Sequence, residues 1–139
     1  MKILVIDGQG GQLGSQVVKE LLAKYPDIPI TAVGTNAVAT AAMKKAGAFQ
    51  AATGENPVVC CCRRADIIIG PIGIVIADSL LGEVTPAMAV AVGQADAIRI
   101  LLPMNRCENY VAGVSDLNTS GLIRDAVAKV GAVLKCQKA

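Results

Sequence analysis

The stretch "DGQGGQLG", residues 7–14, decides the fold of this 139-residue chain. It follows an apolar run, MKILVI, which is typical of a buried strand, and it precedes apolar residues at helical spacing, among them Val17, Val18 and Leu21. A glycine-rich turn between a first strand and a first helix often holds a phosphate, because the helix N-terminus offers free N–H groups to an anion. A tight corner with no ligand is the alternative interpretation of the same residues.

Strand and helix signals alternate along the rest of the chain. Further strands are predicted at residues 29–34, 49–53, 65–70, 97–103 and 110–114. We therefore expect one domain, residues 1–139, of the α/β class, with a three-layer, Rossmann-like arrangement of a mostly parallel sheet of about six strands flanked by helices.

Capping residues predict where the helices begin. Asn36 is expected to cap the second helix, Asn56-Pro57 to open a short helix over 57–64, and Thr85-Pro86 to open another. Residues 74–82 fit either a helix or a loop, and a last helix is expected from about Ser120.

Composition excludes several classes of partner. Aromatic residues make up 2% of the chain, and the 13 basic residues are scattered, so a nucleic-acid partner is not expected. The longest apolar stretch, between Asp66 and Asp78, is too short to span a membrane, and MKILVIDG is unlike a signal peptide, so we expect a cytoplasmic protein. Because 53% of the residues are hydrophobic and only 17% are charged, a homo-oligomer is favoured.

The five cysteines do not form a recognisable metal motif. Cys60, Cys61 and Cys62 are adjacent, CxxC spacing is missing, and the chain has no histidine, so no metal site is predicted. We interpret the run as small apolar filling on a helix, with a metal or redox site as the less favoured alternative.

Ligands of open parallel sheets bind beyond the carboxyl ends of the strands. The predicted strand ends give the following candidate ligand-binding residues: Gly8, Gly10, Gly11, Gln12, Leu13, Gly14, Thr35, Asn36, Thr53, Gly70, Pro71, Gly73, Asn105 and Arg106.

The ligand is expected to be a small phosphate-bearing molecule. Gly8, Gly11 and Gly14 have the GxxGxxG spacing of extended short-chain dehydrogenases rather than GxGxxG. The second strand ends in Thr35 and Asn36, without the acidic residue that normally accepts hydrogen bonds from the adenine ribose. NADP, or a smaller ligand such as a mononucleotide, therefore fits slightly better than NAD.

Catalytic signals are few, so enzyme activity stays an open question. The chain has no histidine, no Tyr-x-x-x-Lys pair and no Walker lysine after the glycines. Asp78 and Glu83 could supply acid–base groups if they face the ligand, although solvated or capping residues are the favoured interpretation. Asp7 is expected to brace the glycine turn. The alternative functions are therefore a small enzyme using Asp78 and Glu83, or a non-catalytic oligomeric assembly module without a nucleotide.

Several segments together, "IDGQGGQLG", "GTNAVATAAMKKAGA", "ATGEN", "ADIIIGPIGIVIADSLLGEVTPAMA" and "ILLPMNRC", resemble a family of small uncharacterised bacterial proteins, a domain of unknown function. The resemblance covers nearly the whole chain. It implies a Rossmann-like fold with a pocket at these loops, and it carries no assigned activity. The cysteine run lies outside the family's pattern.

Overall fold

The computed structural model describes residues 1–104, 109–114 and 118–137. The strands are β1 (Ile3–Asp7), β2 (Ile30–Gly34), β3 (Gln50–Thr53), β4 (Ile67–Pro71) and β5 (Ile98–Leu102). The helices are α1 (Gln12–Lys24), α2 (Ala37–Lys45), α3 (Glu55–Cys62), α4 (Pro86–Gln94) and α5 (Thr119–Gln137), and a 3₁₀ turn spans Ile72–Val75. No helix in these ranges has the length and apolarity needed to cross a membrane.

The five strands form one parallel sheet in the order β3-β2-β1-β4-β5. Ile3 of β1 is paired with Ile30 of β2 on one side and with Ile67 of β4 on the other. The strand order therefore reverses between β1 and β4, and ligands of such sheets bind in the crevice at the carboxyl ends of the strands beside that reversal. The glycine-rich segment follows β1, so the topology positions it at this crevice.

Helices cover both faces of the sheet because successive strand residues point to opposite sides. Ile3 and Val5 of β1 pack in a core with α1 and α5, whereas Leu4 and Ile6 pack in a second core with α3 and α4. The Rossmann-like α/β prediction is confirmed, with three layers and a parallel sheet.

The expected sixth strand at residues 110–114 is wrong, and the sheet has five strands in the described part of the chain. The Val114 N–H donates to the Val111 carbonyl at 3.4 Å, and Gly113 has a φ of 81°. The segment therefore folds back on itself in a turn, and the exposed side chains of Tyr110 and Val114 find no sheet to pack on.

Two of the three predicted helix caps are confirmed. The side chain of Asn36 accepts from the Ala39 N–H, and that of Thr85 accepts from the Met88 N–H. The third is wrong, because α3 begins two residues earlier than expected with Gly54 as its N-cap. Proline is tolerated there because the first helical residues have no intrahelical acceptor for their N–H groups. Residues 74–82, left open by the sequence, form the end of the 3₁₀ turn and a loop.

Candidate functional site

Asp7 is the anchor of the glycine loop, which we define as residues 7–14. Its side chain is buried; Oδ1 accepts from the Gly8 N–H at 2.8 Å, and Oδ2 accepts from the Gly14 N–H at 2.7 Å. Burial raises the pKa of Asp7, the two N–H groups oppose that rise, and the charge of Glu83 adds to it. The Asp7 carboxylate thus joins the two ends of the glycine loop through hydrogen bonds to Gly8 and Gly14.

Two of the three glycines in the GxxGxxG pattern let α1 approach its neighbours closely. Gly11 has a φ of 72°, and a Cβ there would lie 2.7 Å from the Ala39 Cα of α2. A Cβ at Gly14 would lie 2.6 Å from the Met43 sulfur and 2.8 Å from the Asp7 Cβ. Packing against α2 and β1 is therefore enough to explain glycine at both positions.

Gly10 differs from these glycines because its surroundings are open. A Cβ built at Gly10 would meet no described atom within 4 Å, and its φ is not positive. The backbone N–H groups of Gly10, Gln12 and Leu13 have no acceptor within residues 1–104, 109–114 and 118–137. Gln12 and Leu13 are the first two residues of α1, where the helix dipole adds partial positive charge, while the Leu13 side chain is buried in the core.

Glu83 comes from the loop after β4 and lies against the glycine loop. Its two carboxylate oxygens accept from the Gln9 N–H at 3.2 and 3.0 Å. Its Oε1 also accepts from the Thr35 hydroxyl at 3.1 Å and from the Asn36 side-chain amide. A half-buried carboxylate therefore joins the ends of β1 and β2, which sequence reasoning did not anticipate.

Asn36 uses both ends of its side-chain amide. The oxygen caps α2 by accepting from the Ala39 N–H at 2.9 Å, and the nitrogen donates to Glu83 and to the Gln9 carbonyl at 2.9 Å. An aspartate could form the cap but would face Glu83 with a second negative charge. Asn36 therefore both caps α2 and donates to Glu83, an acidic residue that reaches the end of β2 from the loop after β4.

The loop that carries Glu83 is closed by its own backbone. The Asp78 N–H donates to the Val84 carbonyl at 2.7 Å, and the Val84 N–H donates to the Ser79 carbonyl at 3.2 Å. Leu80 and Leu81 have φ values of 55° and 57°, in the left-handed region that L-residues populate rarely.

The two leucines of this turn have opposite environments. Leu80 is buried, and a Cβ at Gly8 would lie 2.8 Å from its Cδ1, whereas Leu81 is 97% exposed. Asp78 is also exposed, and among the described residues its carboxylate forms no hydrogen bond with the glycine loop. Of the two candidate acid–base residues, the structure therefore brings Glu83 to the glycine loop and leaves Asp78 in solvent.

Three predicted ligand residues around the end of β4 are buried within the protein: Gly70, Pro71 and Gly73. A Cβ at Gly70 would lie 2.4 Å from the Ile6 carbonyl oxygen, so this glycine allows β4 to pass close to β1. The Gly73 carbonyl accepts from the Ser79 hydroxyl, which is itself buried. These residues support the base of the Glu83 loop.

The remaining candidates lie farther along the sheet edge or outside the described residues. The Thr53 hydroxyl shares a hydrogen bond of 2.7 Å with the Thr40 hydroxyl at α2. Asn105 and Arg106 fall outside the described residues.

The cysteine run has graded burial along α3. Cys62 is buried, Cys61 is half-buried and Cys60 is exposed. Burial raises the pKa of Cys62 to about 11 and also raises that of Cys61, which keeps both in the thiol form at neutral pH. Cys62 belongs to the core and Cys61 packs against it, whereas Cys60 is exposed. Within the part of the chain that the structure describes, no group of three potential ligands could hold a metal.

A cavity of about 270 Å³ lies away from the glycine loop, at the amino-terminal ends of β1 and β2. Its lining includes Lys2, Thr31, Phe49 and Arg64. Because ligands of parallel sheets bind at the opposite, carboxyl edge, we treat this cavity as separate from the candidate site.

Comparison with known proteins places the chain in a family. No curated protein matches the sequence significantly. A solved structure similar to this chain is a dodecameric FMN-dependent UbiX-like decarboxylase from Escherichia coli O157:H7, with 15% sequence identity and a TM-score of 0.46 over 97% of this chain and 94% of that chain. The family model described as "Domain of unknown function (DUF3842)" matches residues 2–135, which confirms the predicted resemblance to a domain of unknown function. The chain therefore belongs to the DUF3842 family.

Proposed function

We propose that this protein binds a nucleotide, or another small phosphate-bearing ligand, at the glycine loop. The observation that carries the proposal is the set of backbone N–H groups at Gly10, Gln12 and Leu13, which have no acceptor among the described residues. Such groups at a helix N-terminus suit a phosphate oxygen, because both the hydrogen bonds and the helix dipole favour negative charge.

The space above Gly10 supports the same proposal. Gly11 and Gly14 have packing partners that explain them, but nothing in the described protein requires glycine at position 10. A residue without a side chain at this point lets a pyrophosphate approach the backbone closely, which is the role of a glycine in dinucleotide-binding loops.

The polar groups at the neighbouring end of β2 are already used by Glu83. The donors around Glu83, namely the Gln9 N–H, the Thr35 hydroxyl and the Asn36 amide, converge on a carboxylate. The described residues place no lysine or arginine within ion-pair distance of Glu83. A phosphate is therefore expected at the N–H groups of Gly10, Gln12 and Leu13, which have no acceptor among the described residues, rather than at these donors.

An acid–base role for the pair Asp78 and Glu83 finds less support. The two carboxylates do not face a common substrate position, because Asp78 is exposed to solvent whereas Glu83 accepts hydrogen bonds from three protein donors. A carboxylate held in this way is suited to binding and positioning rather than to proton transfer.

The experiment is a calorimetric titration of ADP into the wild-type protein and into Gly10→Val. We expect the wild type to bind ADP and the variant to bind at least about tenfold more weakly, because side-chain atoms would occupy the space over the loop. Gly11→Val is not a suitable variant, since its side chain would collide with Ala39 and disturb the packing of α1 on α2.

Asp78→Asn is the matched control for this titration. It removes a charge from the neighbouring loop without touching the glycine loop, so ADP affinity should be unchanged. If folded wild-type protein binds neither ADP, AMP, NAD nor NADP, the proposal is refuted. Equal ADP affinity in the wild type and a folded Gly10→Val protein would also contradict it.

A further inference from the structure

We infer that Glu83 supplies, from the loop after β4, the carboxylate that binds the ribose diol of the ligand, so that the site selects nucleotides with a free 2′-hydroxyl over 2′-phosphorylated ones. This inference rests on the proposed function and deepens it, because it names the class of nucleotide.

The position of Glu83 is the first support. In dinucleotide-binding folds the ribose carboxylate lies at the end of the second strand, next to the glycine turn. Here Oε1 accepts from Thr35 and Asn36, which directly follow β2, and both oxygens accept from the Gln9 N–H of the glycine loop. Glu83 thus occupies the place of the ribose carboxylate although it comes from a different loop.

The remaining acceptor capacity of the carboxylate is the second support. An ionised carboxylate has about four acceptor positions on its two oxygens. Oε1 accepts from three groups, whereas Oε2 accepts only from the Gln9 N–H at 3.0 Å among the described residues. Oε2 can therefore accept from a ribose hydroxyl without displacing Thr35 or Asn36. The adjacent amides of Gly10, Gln12 and Leu13 stay available for the phosphates.

Charge determines the selectivity. A 2′-phosphate placed at the same point would face the Glu83 carboxylate, and no described cation pairs with Glu83 to offset it. Lys44 lies in the last turn of α2, at the end of the helix opposite to Asn36, and its Nζ donates to the carbonyls of Ala48 and Phe49 at 3.0 and 2.9 Å. The slight preference for NADP that followed from the missing acid after β2 is therefore reversed in favour of ligands with a free diol.

The test compares four ligands on the same protein by calorimetry: ADP, 2′-deoxy-ADP, NAD and NADP. Hydrogen bonds to charged groups contribute enough that wild type should bind ADP about 10- to 100-fold more tightly than 2′-deoxy-ADP, and NAD correspondingly more tightly than NADP. In Glu83→Gln both preferences should fall to less than about threefold. Asp78→Asn, which alters an exposed carboxylate in the same loop, should keep both preferences.

The outcomes separate this inference from the proposed function. Tight binding of ADP and 2′-deoxy-ADP with equal affinity by the wild type, which needs no variant, would overturn the ribose assignment and leave the phosphate site intact. Tighter binding of all four ligands by Glu83→Gln would show that the Glu83 carboxylate opposes ligand binding, and it would also overturn the ribose assignment. Absence of binding by any ligand to the folded wild type would refute both.

Discussion

Replacing Asn36 with aspartate would bring two carboxylates together where Asn36 now donates to Glu83. The cap of α2 should survive, because an aspartate oxygen can accept from the Ala39 N–H as an asparagine oxygen does. The donor side of the amide would be lost, and with it the hydrogen bonds to Glu83 and to the Gln9 carbonyl. The substitution therefore removes one function of Asn36 and keeps the other.

The expected loss of stability follows from these contacts. A hydrogen bond to a charged acceptor contributes about 1.5–3 kcal/mol and a neutral one about 0.5–1.5 kcal/mol. Both residues are half-buried, so solvent screens the new like-charge repulsion to about 1 kcal/mol. We expect Asn36→Asp to lower the free energy of unfolding by about 3–5.5 kcal/mol.

A double-mutant cycle with Glu83→Gln tests the reasoning behind this number. In the double variant the introduced glutamine amide can donate to the introduced aspartate, so the pair is restored with donor and acceptor exchanged. Urea unfolding followed by circular dichroism should give a favourable coupling free energy of about 1–3 kcal/mol. Additive effects of the two substitutions, or an Asn36→Asp protein as stable as the wild type, would refute the proposed contact.

Three further predictions concern the glycine loop and its neighbour. Gly11→Ala should lower the free energy of unfolding by about 2–5 kcal/mol, because Gly11 has a φ of 72° and the new Cβ would collide with Ala39. Gly10→Ala should change it by less than about 0.5 kcal/mol, because the space around Gly10 is open. Equal effects of the two substitutions in urea unfolding would contradict the packing role of Gly11. Burial raises the pKa of Asp7 above its ordinary 3.8, so the native state binds the Asp7 proton more tightly than the unfolded chain does. The stability contributed by this protonated carboxyl group is fully present below pH 3.8 and is lost as pH rises through the raised pKa. The stability of wild type relative to Asp7→Asn should therefore be greatest at low pH, and an advantage that grows with pH would argue against burial as the main cause. Leu81→Asn should raise the melting temperature through a gain of up to about 1 kcal/mol, since asparagine tolerates the left-handed region better than leucine; a clear drop would count against strain at this turn.

Local signals predicted the fold well where one segment determines its own structure. The run MKILVI followed by glycines correctly placed β1 and α1, and the caps at Asn36 and Thr85 follow from side chains that bond three residues ahead. The same approach failed at residues 110–114, because a short apolar segment is consistent with a strand only if a sheet edge accepts it. There, Gly113 instead closes a turn.

The contacts of the site were less accessible because they join distant parts of the chain. Glu83 is 48 residues from Thr35 and 74 from Gln9, so no local pattern connects them. The role of Gly11 depends on the approach of Ala39 from α2, which spacing alone does not reveal. Sequence reasoning therefore identified the loop and suggested Glu83 only as an acid–base candidate, whereas the fold assigns it to the end of β2.

The most direct test of a phosphate site at the glycine loop is a titration of ADP into isotopically labelled protein, followed by amide chemical shifts. The proposal predicts that the resonances of Gly10, Gln12 and Leu13 shift most, because their N–H groups gain a phosphate acceptor. The Gly14 N–H, already bonded to Asp7 at 2.7 Å, should shift less. Shifts confined to Lys2, Phe49 and Arg64 around the opposite cavity, or no shifts at all, would contradict the account.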